Sequence, residues 1–200
     1  MKYSQNLEED CILNYFKNKT DGYFIEIGGY DPFTFSNTRK LVELGWSGVY
    51  VEPSPICMKN FRTQYDANSK IELFELAITA DTKGKMKFYD SGGDAISSLD
   101  KEHVDKWTKG YSVQYTEIEV ETMQIEAFLK QLKPKCNFFN LDVEGININL
   151  FRAVPDWFLN QIDCICIEHD TNIDEISNKL STHGFSRLQL NGENLIMAKL

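Results

Sequence analysis

Apolar residues along this chain recur with two different spacings, and the two kinds of segment follow one another in a regular order. Short apolar runs bounded by glycine, proline or aspartate are typical of buried strands, whereas apolar residues three or four positions apart are typical of helices. The segments predicted as strands are residues 23–28, 48–53, 71–78, 85–90, 112–123, 136–143, 163–169, 185–190 and 194–200. The segments predicted as helices are residues 11–16, 38–44, 55–65, 100–107, 124–132, 147–153 and 174–183.

The order of these segments predicts the architecture. Repeated alternation of strand and helix implies parallel pairing with right-handed crossovers. The pair Asn191-Gly192 lies between the last two strands and is a strong hairpin signal. We therefore expect an α/β protein whose doubly wound, mainly parallel sheet ends in an antiparallel hairpin. No repeat, low-complexity tract or linker divides the sequence, so residues 1–200 are expected to form a single domain.

One long excursion interrupts the alternation. Residues 91–115 contain Gly92-Gly93, which permits unusual backbone angles, together with hydroxyl and aromatic side chains. Those side chains are Ser97, Ser98, Trp107, Tyr111 and Tyr115. Aromatic faces beside hydroxyl groups suit a polar, ring-shaped ligand such as a sugar. Two interpretations stay open: a lid over a ligand, or a surface segment that covers the edge of the sheet. His103 is expected on an exposed helix face here and is assigned no role.

Composition and charge narrow the function classes. The 200 residues include 21 Lys and Arg against 30 Asp and Glu, which gives a formal charge of −9 with no compensating basic cluster. Because such a surface repels phosphate backbones, nucleic acid is not expected as a partner. No apolar run approaches the ~18 residues of a membrane span, and the N-terminus is too acidic and polar for a secretory signal. We therefore expect a cytoplasmic protein without a membrane partner, and reduced cysteines, with Cys164 and Cys166 as small core residues.

Polar residues collect at the carboxyl ends of the predicted strands, which is where open parallel sheets bind ligands. The first strand contains Glu26 and leads into Gly28, Gly29 and Asp31. Glycine lets a backbone approach a ligand closely, although a plain tight turn would explain this pair equally well. The second strand ends in Glu52, whose carboxylate has the acceptors to bind both hydroxyls of a ribose. The spacing of about twenty residues between the glycine turn and this acid is moderately specific for an adenosine-containing cofactor.

Two later strand ends supply candidate catalytic groups. Asp142 lies near the end of the predicted strand CNFFNLDV (136–143) and Glu144 follows it, and the two would share one side if the strand continued. The next strand ends in Glu168, His169 and Asp170. This set has the chemistry either of a base that deprotonates a hydroxyl, with His169 the best base by intrinsic pKa, or of oxygen and imidazole ligands for a divalent metal. Helix capping is the simpler interpretation for Asp170, and no metal ligand is assigned.

Four strings in this order and spacing resemble the FkbM-type methyltransferases. They are SQNLEED (4–10), FIEIGGYDPFTFSNT (24–38), GWSGVYVEPSP (45–55) and FFNLDVEG (138–145). The resemblance runs through essentially the whole chain. It implies a Rossmann-like class I methyltransferase fold, S-adenosyl-L-methionine as methyl donor, and O-methylation of a hydroxyl on a small-molecule or glycan acceptor.

The resemblance also implies roles for individual positions. The residues that it assigns to the cofactor are Glu26, Gly28, Gly29, Asp31, Ser36, Asn37, Glu52, Pro53, Ala77 and Ile78. Glu52 would hold the ribose, and Ala77 with Ile78 would lie near the adenine. Asp142 and Glu144 match the acids that follow the fourth strand of the family.

One position departs from the family pattern. Many relatives have Asp-Gly where this chain has Asp31-Pro32, and proline removes an N–H group and fixes φ. An alternative function is therefore a catalytically inactive cofactor-binding or interaction module of the same fold. A dinucleotide-dependent oxidoreductase is disfavoured, because Gly28-Gly29-Tyr30-Asp31 lacks the third glycine and puts an acid where a pyrophosphate would sit.

Overall fold

The order of helices and strands follows the predicted order in a computed structural model of the chain, which describes residues 2–111, 113–133 and 135–200. The helices are α1 (Glu8–Phe16), α2 (Arg39–Glu43), α3 (Pro55–Tyr65), α4 (Lys101–Tyr111), α5 (Ile125–Leu129), α6 (Asn147–Ala153), α7 (Asp156–Leu159) and α8 (Ile173–Thr182). The strands are β1 (Tyr23–Ile27), β2 (Ser47–Val51), β3 (Ile71–Phe74), β4 (Ala77–Thr79), β5 (Gly84–Asp90), β6 (Thr116–Gln124), β7 (Phe138–Leu141), β8 (Cys164–Glu168), β9 (Phe185–Leu190) and β10 (Asn194–Lys199). Helix α7 has no predicted counterpart. Ser112, at the start of one predicted strand, and the side chain of Tyr111 lie outside the described residues.

Seven strands form the main sheet, in the order β3-β2-β1-β7-β8-β10-β9. Strand β1 pairs in parallel with both β2 and β7, and β7 pairs in parallel with β8. Strand β10 is antiparallel to both of its neighbours, which confirms the hairpin predicted at Asn191-Gly192. The strand order reverses between β1 and β7. Such a reversal opens a crevice at the carboxyl ends of the two strands.

A second sheet contains β4, β6 and β5, in that order. The prediction of a single strand at residues 71–78 is wrong, because this segment forms two strands. Strand β3 pairs with β2 at the edge of the main sheet, whereas β4 pairs with β6 in the second sheet. Both pieces are apolar, so periodicity alone does not reveal the break between them. Strands β5 and β6 are antiparallel neighbours. The long excursion therefore leaves and returns at one end of this sheet, and α4 lies within it.

Alternate residues of the main sheet enter two apolar clusters, one on each face. Strand β1 shows the division, because Phe24 packs in one cluster with α1 and α3 while Ile25 packs in the other with α5, α6 and α8. Cys164 and Cys166 are fully buried in the first of these clusters, so their predicted core role is confirmed. Burial raises the pKa of both thiols well above the usual range.

The N-terminal segment is fastened to the hairpin. The buried carboxylate of Glu8 accepts hydrogen bonds from the side-chain amides of Asn191, at 2.7 Å, and Asn194, at 3.1 Å. Across residues 2–111, 113–133 and 135–200, no helix is long and apolar enough to cross a membrane.

Candidate active site

The crevice is closed at its base by a tight approach between β1 and β7. Gly28 has φ of 86°, and a Cβ at this position would lie 1.5 Å from the carbonyl oxygen of Asp142. The backbone N–H of Asp142 donates to the carbonyl oxygen of Ile27 at 3.0 Å, and that of Gly28 donates to Val51 at 3.0 Å. The glycine is therefore required by the approach of the protein's own backbone, which draws three strand ends together.

A cavity of about 910 Å³, including its open mouth, lies over these strand ends. The predicted site residues that line it are Glu26, Gly28, Gly29, Asn37, Glu52, Pro53, Ala77, Ile78, Asp142 and Glu144. The opposite wall comes from the excursion, through Asp94, Ala95, Ser97 and Leu99.

Glu52 joins the end of β2 to the two segments beside it. One carboxylate oxygen accepts the backbone N–H of Ser54 at 2.7 Å, and the other accepts that of Tyr30 at 3.1 Å. Ser54 is in turn the N-cap of α3 and accepts from the backbone N–H of Cys57. Burial raises the pKa of Glu52 to about 7, against the lowering effect of its backbone donors. An ionised carboxylate has about four acceptor sites, so acceptors remain for a ligand in the cavity.

Glu26 lies deeper in a buried polar network. Its carboxylate accepts from the hydroxyl of Thr38, whose oxygen is also 2.8 Å from the hydroxyl oxygen of Tyr50. Burial raises the pKa of Glu26 to about 8, and the Thr38 hydrogen bond only partly offsets this. Glu26 therefore holds the loop before α2 onto the sheet as well as lining the cavity.

The loop after β1 uses its predicted site residues in two ways. Asp31 makes a turn: its Oδ1 accepts from the backbone N–H groups of Phe33 and Thr34, at 2.9 and 2.8 Å. The Asp31 side chain therefore stabilises the turn that passes through Pro32. Ser36 accepts from the backbone N–H of Arg39 at 3.1 Å, at the start of α2. Neither Asp31 nor Ser36 is among the residues that line the cavity.

Asn37 is the member of this loop that reaches the cavity. It is buried, and its side-chain nitrogen donates to Oδ1 of Asn140 at 3.1 Å. Asn140 also lines the cavity and was not selected from the sequence, although a polar residue inside the apolar run CNFFNL was a usable signal. This pair presents amide groups to the cavity from two different elements.

The acids after β7 are brought together by a turn. Strand β7 ends at Leu141, so Asp142 and Glu144 do not share a face by strand alternation as expected. Instead Glu144, with φ of 50°, and Gly145, with φ of 81°, turn the backbone through the left-handed region. A non-glycine residue in this region is a strained position of the kind that clusters at functional sites.

Glu168, at the end of β8, completes an acidic group with Asp142 and Glu144. One oxygen from each of the three lies within 4.8 Å of the others. Asn147 fixes the arrangement, because its side-chain nitrogen donates to Glu168 while its oxygen accepts the backbone N–H of Val143. Burial and the neighbouring carboxylates raise the pKa of both Asp142 and Glu168. Three such oxygens have the spacing to surround a cation, but acidic groups also occur in this arrangement without one.

The charged side chains that line the cavity are all acidic. Carboxyl groups from Glu26, Glu52, Asp94, Asp142 and Glu144 line it. No Lys, Arg or His is present among the described lining residues. Burial raises the pKa of Glu26, Glu52 and Asp142, and the described lining contains no basic side chain, so a ligand that brings positive charge is favoured there.

A family model for the Methyltransferase FkbM domain matches residues 26–191 of this chain. The chain belongs to this family. The match contains the whole lining of the cavity apart from Gln5. A comparison with curated proteins finds no match.

Two solved structures are similar to this FkbM domain. The FkbM methyltransferase from Methylobacillus flagellatus KT has a TM-score of 0.55 and 8% identity, and the match covers 90% of this chain and 44% of that chain. The putative methyltransferase yhhF from Escherichia coli has a TM-score of 0.53 and 6% identity, with 100% and 88% covered. These likenesses confirm the Rossmann-like class I methyltransferase fold. The chain spans less than half the length of the M. flagellatus protein.

The FkbM domain does not place His169 at the cavity. Its Nδ1 accepts the backbone N–H of Thr171 at 3.1 Å, and its Nε2 lies 3.2 Å from the carbonyl oxygen of Asn191. This buried imidazole therefore fastens the end of β8 to the hairpin. Asp170 does not cap the next helix as expected, because Asn172 occupies the N-cap of α8.

Two residues of the chain that were assigned no role lie close to the acids or the cavity. His103, on α4, contacts Glu144 with 3.1 Å between Nε2 and Oε2. Gln5 lines the cavity from the N-terminal segment that Glu8 fastens to the hairpin. Sequence spacing gives no signal for either, because each belongs to an element far along the chain from the strand ends.

Proposed function

We propose that this FkbM domain is an S-adenosyl-L-methionine-dependent methyltransferase that methylates a hydroxyl group on a small-molecule or glycan acceptor. The observation that carries the proposal is the position and charge of the cavity. It lies at the strand reversal of a methyltransferase fold, and its polar lining is acidic without a described basic group. A cationic sulfonium donor fits such a lining.

The residues present also fit the parts of this cofactor. Glu52 retains acceptors for ribose hydroxyls, and Ala77 and Ile78 supply an apolar surface for adenine. The amides of Asn37 and Asn140 suit the polar amino-acid end. When bound, the cofactor supplies an activated methyl group on a positively charged sulfur. These residues bind and orient it, and the walls of the cavity exclude water from the reacting atoms.

The acceptor side is proposed to lie between Asp142, Glu144 and the excursion. Glu144 is partly exposed at the mouth and can take the proton that a hydroxyl releases as its oxygen forms the bond to carbon. Such general base catalysis contributes roughly 10²–10⁴-fold. The aromatic side chains of Tyr30 and Phe35, whose ring centroids are 6.1 Å apart, line the same cavity and offer an apolar surface to a ring-shaped acceptor.

The charge of the lining limits the acceptor. Carboxylates in a cavity whose described lining has no basic side chain disfavour phosphates and carboxylates as ligands, so neutral polyols and acceptors with an amino group are favoured. This is also the reason to expect no nucleic acid as substrate, in agreement with the formal charge of −9.

The test has two parts. Calorimetry with S-adenosyl-L-methionine, S-adenosylhomocysteine and NAD is expected to show binding of the first two only. A panel of hydroxylated acceptors, with and without phosphate groups, is then assayed with a methyl-labelled donor, and transfer to neutral or amino-bearing members is expected. Cofactor binding without transfer to any acceptor would favour the inactive module, and binding of NAD alone would overturn the assignment.

A further inference from the structure

His103 connects the excursion to the acids at the mouth of the cavity. It is the third residue of α4, and its Nε2 lies 3.1 Å from Oε2 of Glu144. The side chains of the pair are mostly buried, with 15% and 24% of their surface exposed. A carboxylate hydrogen bond in such surroundings is stronger than one at an open surface.

Gly145 leaves room for the side chain of His103 to pack against its backbone. A Cβ on Gly145 would lie 2.8 Å from Cβ and 3.0 Å from Nδ1 of His103, so only glycine allows this contact. The excursion has a second attachment at the same place, because the buried Ser98 donates its hydroxyl to the carbonyl oxygen of Glu144 at 2.6 Å. The excursion therefore holds Glu144 through both its side chain and its backbone.

A second histidine shows what an ordinary surface pair looks like in this protein. Nε2 of His183 lies 3.3 Å from Oδ1 of Asp156, whose side chain is 75% exposed. Asp156 does not line the cavity, whereas Glu144 does. His183 is thus a matched control for His103.

We propose that His103 is a positioning residue for the acceptor site: from α4 it holds the carboxylate of Glu144 at the mouth of the cavity. This inference rests on the methyltransferase function proposed above. Glu144 lies in a turn after β7, with φ of 50°, and the contact from α4 holds its side chain at the mouth of the cavity. The donated hydrogen bond leaves the other carboxylate oxygen of Glu144 for the acceptor hydroxyl.

The groups that face His103 come from three elements. Glu144 follows β7 and raises the pKa of the imidazole through the hydrogen bond, and the charges of Glu168 and Asp170 at the end of β8 add to the effect. The indole N–H of Trp107, one turn further along α4, lies 3.2 Å from the same Nε2 and donates to it when that nitrogen carries no proton. When Nε2 carries a proton it donates to the Glu144 carboxylate, because the indole is a donor only and cannot accept this hydrogen bond.

The experiment compares His103→Leu, His103→Gln and the control His183→Leu. Leucine removes the donor, whereas glutamine keeps an N–H group on a side chain of similar length. For an acceptor that the unmodified chain methylates, His103→Leu is expected to lower kcat by about 10- to 100-fold, since a catalytic group displaced by ~1 Å loses its productive geometry. Affinity for S-adenosylhomocysteine should stay unchanged, His103→Gln should recover most of the activity, and His183→Leu should match the unmodified chain.

Unchanged kcat in His103→Leu, or equal losses in the leucine and glutamine variants, would overturn the positioning role. Nitrogen-15 NMR of the imidazole supplies a readout apart from turnover, recorded on the chain with S-adenosylhomocysteine. The pKa of His103 is expected to fall in Glu144→Gln, and an unchanged value would show that the pair does not form. If the pair forms but the unmodified chain methylates no acceptor, the proposed function fails and the contact itself stands.

Discussion

Single residues set the geometry of the cavity in this FkbM domain. Gly28 allows the ends of β1 and β7 to meet, and Glu52 ties the loop after β1 to the start of α3. Both were selected from the sequence as ligand-binding positions. In the structure both residues also have a role within the protein itself, because each organises the backbone whether or not a ligand is bound.

Replacement of Gly28 by alanine is expected to destabilise the fold strongly. The new Cβ would lie 1.5 Å from the carbonyl oxygen of Asp142, on a residue with φ of 86°. Overpacking and backbone strain together should lower the free energy of unfolding by roughly 3 kcal/mol or more. Urea unfolding measures this, with Gly192→Ala as control because nothing lies within 4 Å of its added Cβ. Equal stability of the two variants would contradict the close approach.

Loss of the Glu52 carboxylate is expected to weaken cofactor binding. Glu52→Ala removes charge-assisted hydrogen bonds worth roughly 1.5–3 kcal/mol, so affinity for S-adenosylhomocysteine should fall at least about tenfold. Calorimetry gives the affinity, and circular dichroism checks that the fold persists. Glu119→Ala removes an exposed carboxylate from β6 and should bind normally. Normal binding by Glu52→Ala would remove this residue from the cofactor site.

At the scale of elements, the excursion between β5 and β6 is the part with the clearest link to ligand binding. It supplies one wall of the cavity and holds Glu144 through Ser98 and His103. Helix α4 otherwise buries little, with Val104 as its fully buried apolar side chain among the described residues. An element with so few buried contacts opens more readily than the sheet beneath it.

Trypsin is therefore expected to cut α4 at Lys106 and Lys109, which are exposed, and ligands should protect these sites. If opening of the excursion prevents binding, S-adenosylhomocysteine at ten times its Kd slows the cut about tenfold. Cleavage after the exposed Lys17, which directly follows α1 in the sequence, serves as the control, and its rate should not change when ligands are added. Equal rates with and without cofactor and acceptor would favour a surface segment over a lid.

At the scale of the whole molecule, buried acids make stability depend on pH. The pKa of Glu26 is about 8 in the folded chain, against an ordinary value of 4.5. Below pH ~4.5 both states keep the proton, whereas between pH ~4.5 and ~8 the unfolded chain releases it and the folded chain does not. The contribution of Glu26 is therefore lost as pH rises through this window. Glu52, with a pKa of about 7, acts with the same sign.

Glu26→Gln is expected to remove the part of this dependence that comes from Glu26, because an amide keeps the shape and the acceptor for Thr38 but does not ionise. At pH 8 the variant should be more stable than the unmodified chain by on the order of 3 kcal/mol, and the difference should shrink towards zero near pH 4.5. Denaturant unfolding at several pH values measures it. Glu119→Gln, exposed on β6, should follow the unmodified chain, and a pH-independent gain in Glu26→Gln would contradict the assignment.

The sequence by itself determined the class of fold and the cluster of strand-end residues. Parallel strands joined by crossovers have their carboxyl ends at one edge, so Glu26, Glu52 and Asp142 had to meet wherever the strands paired. The hairpin at Asn191-Gly192 followed from local backbone preference. These features depend on periodicity and turn chemistry, which are local properties of the chain.

Only the tertiary structure decided which histidine approaches the acids. The sequence favoured His169, at a strand end, but α4 brings His103 to Glu144, while the nitrogens of His169 contact Thr171 and the hairpin residue Asn191. It also decided that residues 71–78 divide between two sheets and that Asp31 makes a turn. The physical reason is that these outcomes depend on contacts between segments far apart in the chain, and the path of a long connection is not encoded in the spacing of its own residues.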